Sequence, residues 1–299
     1  MNILIGYDGS ESSDAALDDL KLAGLPCDAK SLVVSVSDPL MTSRPIQEVF
    51  AQAMPSGRVI AAPSEPQING ERVIEAEALT LKAADRLRSQ FPDWEIATQT
   101  RTGMAAWELI DAADDWDADL VIVGSEGLSA VERILLGSVS KRVATESRRS
   151  VRVARSVERK KKDAPPKIIL GVDGTPAARE AVGEVGQRAW PIGTQVRLIV
   201  VHDPRSITDS NLNTRQQAES MLAWATDQLK SAGLNVSTSI MPGDPKRVLV
   251  SDARKWRADC IFVGTRSFKS GFERYQLGSV SSAVVTKAPC SVEVVRPAE

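Results

Sequence analysis

Two patterns of apolar residues alternate along the chain. Short runs rich in branched residues fall near Asn2–Gly6, Ser31–Val36, Trp94–Arg101, Asp119–Val123 and Val151–Ala154. Between them, after Ser12, Gly70, Met104 and Ser138, apolar residues return every third or fourth position. The runs predict buried strands, and the spaced stretches predict amphipathic helices. After Gly70 the predicted buried stripe is Ile74, Ala78, Leu81, Ala84 and Leu87, with charge on the opposite face. Strand runs resume near Lys167–Val172, Gln195–Val201, Asn235–Ile240, Asp259–Val263 and Val292–Val295. Such alternation builds βαβ units, whose crossovers cover both faces of a parallel sheet. The predicted class is α/β: two tandem five-stranded parallel-sheet domains of Rossmann-like or flavodoxin-like order, with helices on both faces.

The second set of runs copies the first. Ile3-Leu4-Ile5-Gly6-Tyr7-Asp8-Gly9-Ser10 returns 165 residues later as Ile168-Ile169-Leu170-Gly171-Val172-Asp173-Gly174-Thr175. Trp116-Asp117-Ala118-Asp119 and the apolar run to Gly124 return 140 residues later, from Trp256 to Gly264. The first copy is therefore about 25 residues longer, and a cluster of prolines (Pro39, Pro45, Pro55, Pro63, Pro66) places the surplus between Pro39 and Asn69. A long loop there is either a lid over a ligand or disordered chain. Arg159-Lys160-Lys161-Lys162-Asp163-Ala164-Pro165-Pro166 has linker composition. The expected organisation is a domain over 1–156, a linker over 157–166 and a second domain over 167–299.

Doubly wound sheets bind ligands beyond the carboxyl ends of their strands, where strand order reverses. In the first copy that position holds Gly124-Ser125-Glu126-Gly127, with Gly137-Ser138 following at the start of a helix. Phosphate binding needs converging backbone amides with no side chain in the way, and a helix N-terminus adds a positive dipole end. Gly124 and Gly127 can hold positive φ and leave the backbone open, while Gly137 and Ser138 offer amides and a hydroxyl. The plainer alternative is that the glycines only punctuate a strand end and a loop, with Ser138 and Ser140 as helix caps. Asp8 either reaches a ribose, a base edge or a divalent cation, or closes an Asx-turn ahead of the next helix. Val36 either offers backbone groups to an adenine edge or is simply core.

The Tyr7-Asp8-Gly9-Ser10 opening and the G-x-x-G-x9-G-S turn together resemble the universal stress protein family, as a tandem fusion spanning nearly the whole chain. The resemblance implies five-stranded domains that bind ATP or a related adenine nucleotide, with or without Mg, and do regulatory work in the stress response. It also implies a dimer joined along the final strand; the two copies would form that dimer internally, and further homo-oligomers stay open. The family's nucleotide contacts fall on Asp8, Val36, Gly124, Gly127, Gly137, Ser138 and Val139.

The second copy departs from this pattern. Counting on from Gly264, the position of Gly127 holds Ser267; counting back from Glu273-Arg274, it holds Phe268. A Cβ where positive φ is needed costs about 1 kcal/mol, and a phenyl ring would fill phosphate space. The expectation is one competent site in the N-terminal half and a weak or empty one around Asp173, Val201, Gly264 and Gly278.

Composition narrows the partners. With 299 residues, 42% hydrophobic and 25% charged, the chain can build two cores. A net charge of -2 favours neither nucleic acid nor an anionic membrane, and no apolar run reaches spanning length. Cys27, Cys260 and Cys290 form no C-x-x-C pair, which disfavours disulfides and zinc and fits a reducing cytoplasm. The sole histidine, His202, excludes a histidine metal cluster or a catalytic histidine pair. There is no Walker phosphate loop and no G-x-G-x-x-G fingerprint. Tyr7-Asp8-Gly9-Ser10 is not the S-G-G-x-D-S loop of ATP-pyrophosphatases. Trp107, Trp116 and Trp256 are expected in the core rather than stacked on a base. The expected activity is a cytoplasmic nucleotide-binding regulator with at most slow ATP hydrolysis; the alternative is a nucleotide-independent scaffold of the same fold.

Overall fold

The computed structural model describes residues 1–37, 65–126, 136–157, 164–202, 211–265 and 277–297. The first half contains β1 (Asn2–Gly6), α1 (Glu11–Asp19), β2 (Lys30–Ser37), α2 (Glu65–Gln90), β3 (Glu95–Thr102), α3 (Ala105–Asp115), β4 (Leu120–Gly124), α4 (Ser138–Glu146) and β5 (Ser150–Ala154). The second contains β6 (Lys167–Gly171), α5 (Pro176–Gln187), β7 (Gln195–His202), α6 (Asn211–Ser231), β8 (Asn235–Pro242), α7 (Pro245–Trp256), β9 (Cys260–Gly264), α8 (Ser279–Lys287) and β10 (Ser291–Val295). Each predicted strand is present within two residues of its expected bounds. Helix α2 begins before Gly70, and Pro66 sits in its first turn, where the missing N–H costs nothing. The predicted loop therefore ends earlier than Asn69, and its residues before Glu65 lie outside the described residues.

The five-stranded sheets of the two halves join edge to edge through their final strands, the internal pairing that the resemblance implied. The order is β3-β2-β1-β4-β5-β10-β9-β6-β7-β8, parallel within each half and antiparallel where β5 meets β10. Pairing of the final strands has a direct cause: Val151, Val153, Val292 and Val294 are fully buried, and two open apolar edges would otherwise face solvent. In each half the order 3-2-1-4-5 reverses at the first strand, so β1 lies between β2 and β4.

Alternation along the strands sends Ile3 and Ile5 to a cluster with Leu17, Leu20 and Leu87. Leu4, Val121 and Val123 face the other way, into a cluster that crosses the junction to Ile169, Val292 and Val294. Trp107, Trp116 and Trp256 pack against that shared cluster, as expected. The stripe predicted on α2 is corrected. Ala84 and Leu87 are buried, but their companions are Ala76, Thr80 and Ala83, while Ile74 and Leu81 are 66% and 48% exposed and Ala78 is exposed. Small residues let α2 lie close to β2 and β3, and both stripes obey the same three-and-four spacing.

The junction has a charged centre. Arg152 and Glu293 stand opposite each other in the β5–β10 ladder, both fully buried. Arg152 donates to Glu293 Oε2 at 3.1 Å and to Asp19 Oδ2 at 2.6 Å. Arg188 donates to both Glu293 oxygens, at 3.0 Å to Oε2, and the Ser291 hydroxyl donates to Asp19 at 2.8 Å. Burial opposes the charge on Arg152, but Asp19 and Glu293 outweigh it and hold the guanidinium well above its ordinary pKa. Farther along, Arg155 donates to the Val285 carbonyl in the last turn of α8, and Arg296 to the Ala144 carbonyl in the last turn of α4. Each half thus supplies a cation to the negative end of the other half's helix.

Candidate functional site

The strand order reverses between the neighbours β1 and β4, whose following helices α1 and α4 pack on opposite faces of the sheet, the position at which such sheets form a ligand crevice. Beyond Gly6 the Tyr7 N–H donates to the Val34 carbonyl at 2.9 Å, which ends the β1–β2 ladder. The Asp8 carboxylate accepts from the Ser10 N–H at 3.0 Å and the Ser10 hydroxyl at 2.6 Å, across Gly9 at φ 77°. Ser10 in turn caps α1 by accepting from the Ser13 N–H. The bonds from Ser10 to Asp8 form the Asx-turn that was one of the two readings of Asp8. Val36 lies two residues past Val34, so alternation points its backbone groups to the same side, beyond the end of β1; its side chain packs on the core.

Gly124 does not use the positive φ open to a glycine. Space is the reason for the glycine: a Cβ would approach the Ser12 carbonyl carbon and oxygen to 2.7 Å. The strand end presses on the first turn of α1, and the turn beyond it is tied at several points. Ser12 Oγ accepts from the Glu126 N–H at 2.9 Å and lies 3.4 Å from Ser125 Oγ. The Gly137 N–H donates to the Ser125 carbonyl at 2.8 Å, and the Ser140 hydroxyl donates to the Gly124 carbonyl at 2.5 Å. Ser140 is therefore a brace rather than a cap. Gly137 is the N-cap of α4 at φ -61°, with no side-chain capping bond. Ser138 is exposed at the first helical position, and Val139 is half-buried against the core. Asp8, Val36 and Gly124 thus lie at or just past the carboxyl ends of β1, β2 and β4, and Gly137, Ser138 and Val139 at the start of α4. Gly127 lies outside the described residues, as do Ser267 and Phe268.

The second half repeats the frame. Asp173 accepts from the Thr175 N–H and hydroxyl at 3.1 and 2.6 Å, and Thr175 caps α5. The Ser281 hydroxyl donates to the Gly264 carbonyl at 3.1 Å, and a Cβ on Gly264 would come within 2.4 Å of the Ala177 carbonyl. Val201 is half-buried in β7, which ends at the exposed His202. Sequence reasoning missed Ser12 and also a tie between α1 and α2. The Tyr7 hydroxyl donates to Asp14 at 2.8 Å, and Arg86 reaches Asp14 and Asp18 at 2.9 and 2.7 Å. Burial, then Asp14, raises the Tyr7 pKa. Among the described residues no group of histidine, cysteine and carboxylate side chains is arranged to hold a metal, and no helix is long and apolar enough to cross a membrane.

Residues 1–155 and 166–296 each match the universal stress protein family. The chain belongs to that family. A universal stress protein of Mycolicibacterium smegmatis is 28% identical over 303 residues, covering 99% of this chain and 97% of the relative. A putative universal stress protein of Staphylococcus epidermidis is 33% identical over 141 residues, 84% of its length but 44% of this chain. In fold, this universal stress protein superposes on one from Archaeoglobus fulgidus with a TM-score of 0.65 at 21% identity, covering 99% of this chain and 98% of that one.

Proposed function

We propose that this universal stress protein binds ATP or a related adenine nucleotide in its N-terminal half and works as a stress-response regulator rather than as a dedicated enzyme. The observation that carries the reading is the turn after β4, braced against the first turn of α1 and leading to an uncapped helix N-terminus at the strand-order reversal. In this reading the backbone around Gly124, Gly127, Gly137, Ser138 and Val139 takes the phosphates. Val36 meets the adenine edge through its backbone, and Asp8 stands near the ribose. Mg would enter on the nucleotide. Any turnover is proposed to be at most slow, and the chain's histidine, His202, takes no part in it, standing at the end of β7 in the other half.

Calorimetric titration of nucleotide-stripped protein with Mg-ATP tests this, run beside Gly127→Phe, which writes one reading of the second copy into the first. One site per chain, lost in the variant, is expected. No heat in the wild type would transfer the assignment to a nucleotide-independent scaffold, and two sites per chain would refute the asymmetry between the halves.

A further inference from the structure

We propose that Ser12 positions the phosphate turn of the N-terminal half, and that alanine at the equivalent Ala177 deprives the second turn of the same tie. The inference rests on the nucleotide reading above and deepens it.

Ser12 has no capping duty, because Ser10 already caps α1. Its hydroxyl instead points across at the end of β4 and accepts from the Glu126 N–H at 2.9 Å. Gly124 makes that approach possible by leaving no Cβ between strand and helix. The bond fixes the peptide between Ser125 and Glu126. Amides that are to meet an anion bind best when already oriented, since no ordering remains to oppose binding.

In the second half the same frame holds a different pair. Position 177 carries a methyl group, which accepts nothing. Thr265, in the place of Ser125, is 4% exposed, and its hydroxyl has no hydrogen-bond partner among the described residues. Buried hydroxyls without partners are uncommon in folded proteins. The Asx-turn at Asp173, the cap at Thr175 and the Ser281 brace are all retained. The loss is therefore local to the Ser12–Ser125 pair and separate from the missing glycine. Restoring glycine alone would not rebuild the second site.

The test uses the full chain as wild type, Ser12→Ala and Ser12→Thr. Hydrogen exchange at the Glu126 amide is measured without nucleotide, ATP affinity by calorimetry, and the thermal midpoint as a control. Ser12→Ala is expected to speed Glu126 exchange about tenfold and weaken ATP about five- to tenfold, the worth of one hydrogen bond, with little change in midpoint. Ser12→Thr keeps the hydroxyl and should stay within about twofold on both counts. Equal exchange and affinity in wild type and Ser12→Ala would overturn the inference, as would an equal loss in Ser12→Thr. No heat from the wild type would instead sink the nucleotide reading itself, so the two failures are distinguishable.

Discussion

Replacing Glu293 with leucine should cost this protein a large part of its stability. The carboxylate accepts from Arg152 once and from Arg188 twice, inside the β5–β10 junction. Charge-assisted bonds contribute about 1.5–3 kcal/mol each, and relief from burying the carboxylate offsets part of their sum. Breaking a buried pair by removing one partner costs about 3–5 kcal/mol. The lower end applies here, because Asp19 still faces Arg152 and Glu184 still faces Arg188. With a urea slope of about 3 kcal/mol/M, the unfolding midpoint should fall by about 1 M. Glu219→Leu, which breaks the exposed Arg215–Glu219 pair, should change stability by no more than about 0.5 kcal/mol. A loss below about 1 kcal/mol for Glu293→Leu would refute the reasoning. So would a loss that vanishes in about 1 M salt, since screening reaches only solvent-accessible charge.

The corrected face of α2 predicts that Ile74→Ser and Leu81→Ser shift stability by about 0.5 kcal/mol or less, whereas Leu87→Ala costs about 2–5 kcal/mol; urea unfolding of the three variants decides it. Cys27 is exposed while Cys260 and Cys290 are buried, so a thiol reagent at pH 8 should label one cysteine in the folded chain and three after unfolding. Burial pushes Cys290 from 9.0 up to about 12, so the folded state holds its proton longer than the unfolded state does. Its contribution is fully present below pH 9 and lost as pH rises towards 12, and Cys290→Ala should flatten that part of an alkaline stability profile. Gly124→Ala should both destabilise the chain, by about 1–3 kcal/mol, and weaken ATP in calorimetry, because the added Cβ drives into the Ser12 backbone.

The strands were legible because each is a short branched apolar run bounded by turn residues, and because the repeat wrote each pattern twice. The face of α2 was not, since Ile74-Ala78-Leu81 and Ala76-Thr80-Ala83 satisfy the same period. What separates them is how close the helix lies to the sheet, and only tertiary packing sets that. Around the crevice, the residues at strand ends and helix starts could be placed from spacing. Their tasks were legible only in part: the Asx-turn at Asp8 was one of two readings, but Gly124 making room for Ser12 and Ser140 bracing a carbonyl were not foreseen. The junction network joins residues more than 100 positions apart, beyond any local pattern. Its one trace in the sequence is an arginine between Val151 and Val153 answered by a glutamate between Val292 and Val294, opposite charges at equivalent places in two apolar strands.

Those opposite charges also matter while the chain is being made. The first half leaves the ribosome with β5 as the free edge of a five-stranded sheet, a template for pairing with the β5 of another nascent chain. Arg152 at the centre of that edge works against such a match, because two guanidinium groups would be brought face to face. Glu293 follows 141 residues later, which at ordinary rates of synthesis is about 7 to 28 s. Throughout that interval the guanidinium has Asp19 of its own half as a partner, and the carboxylate that comes to stand opposite it across the junction arrives on the same polypeptide.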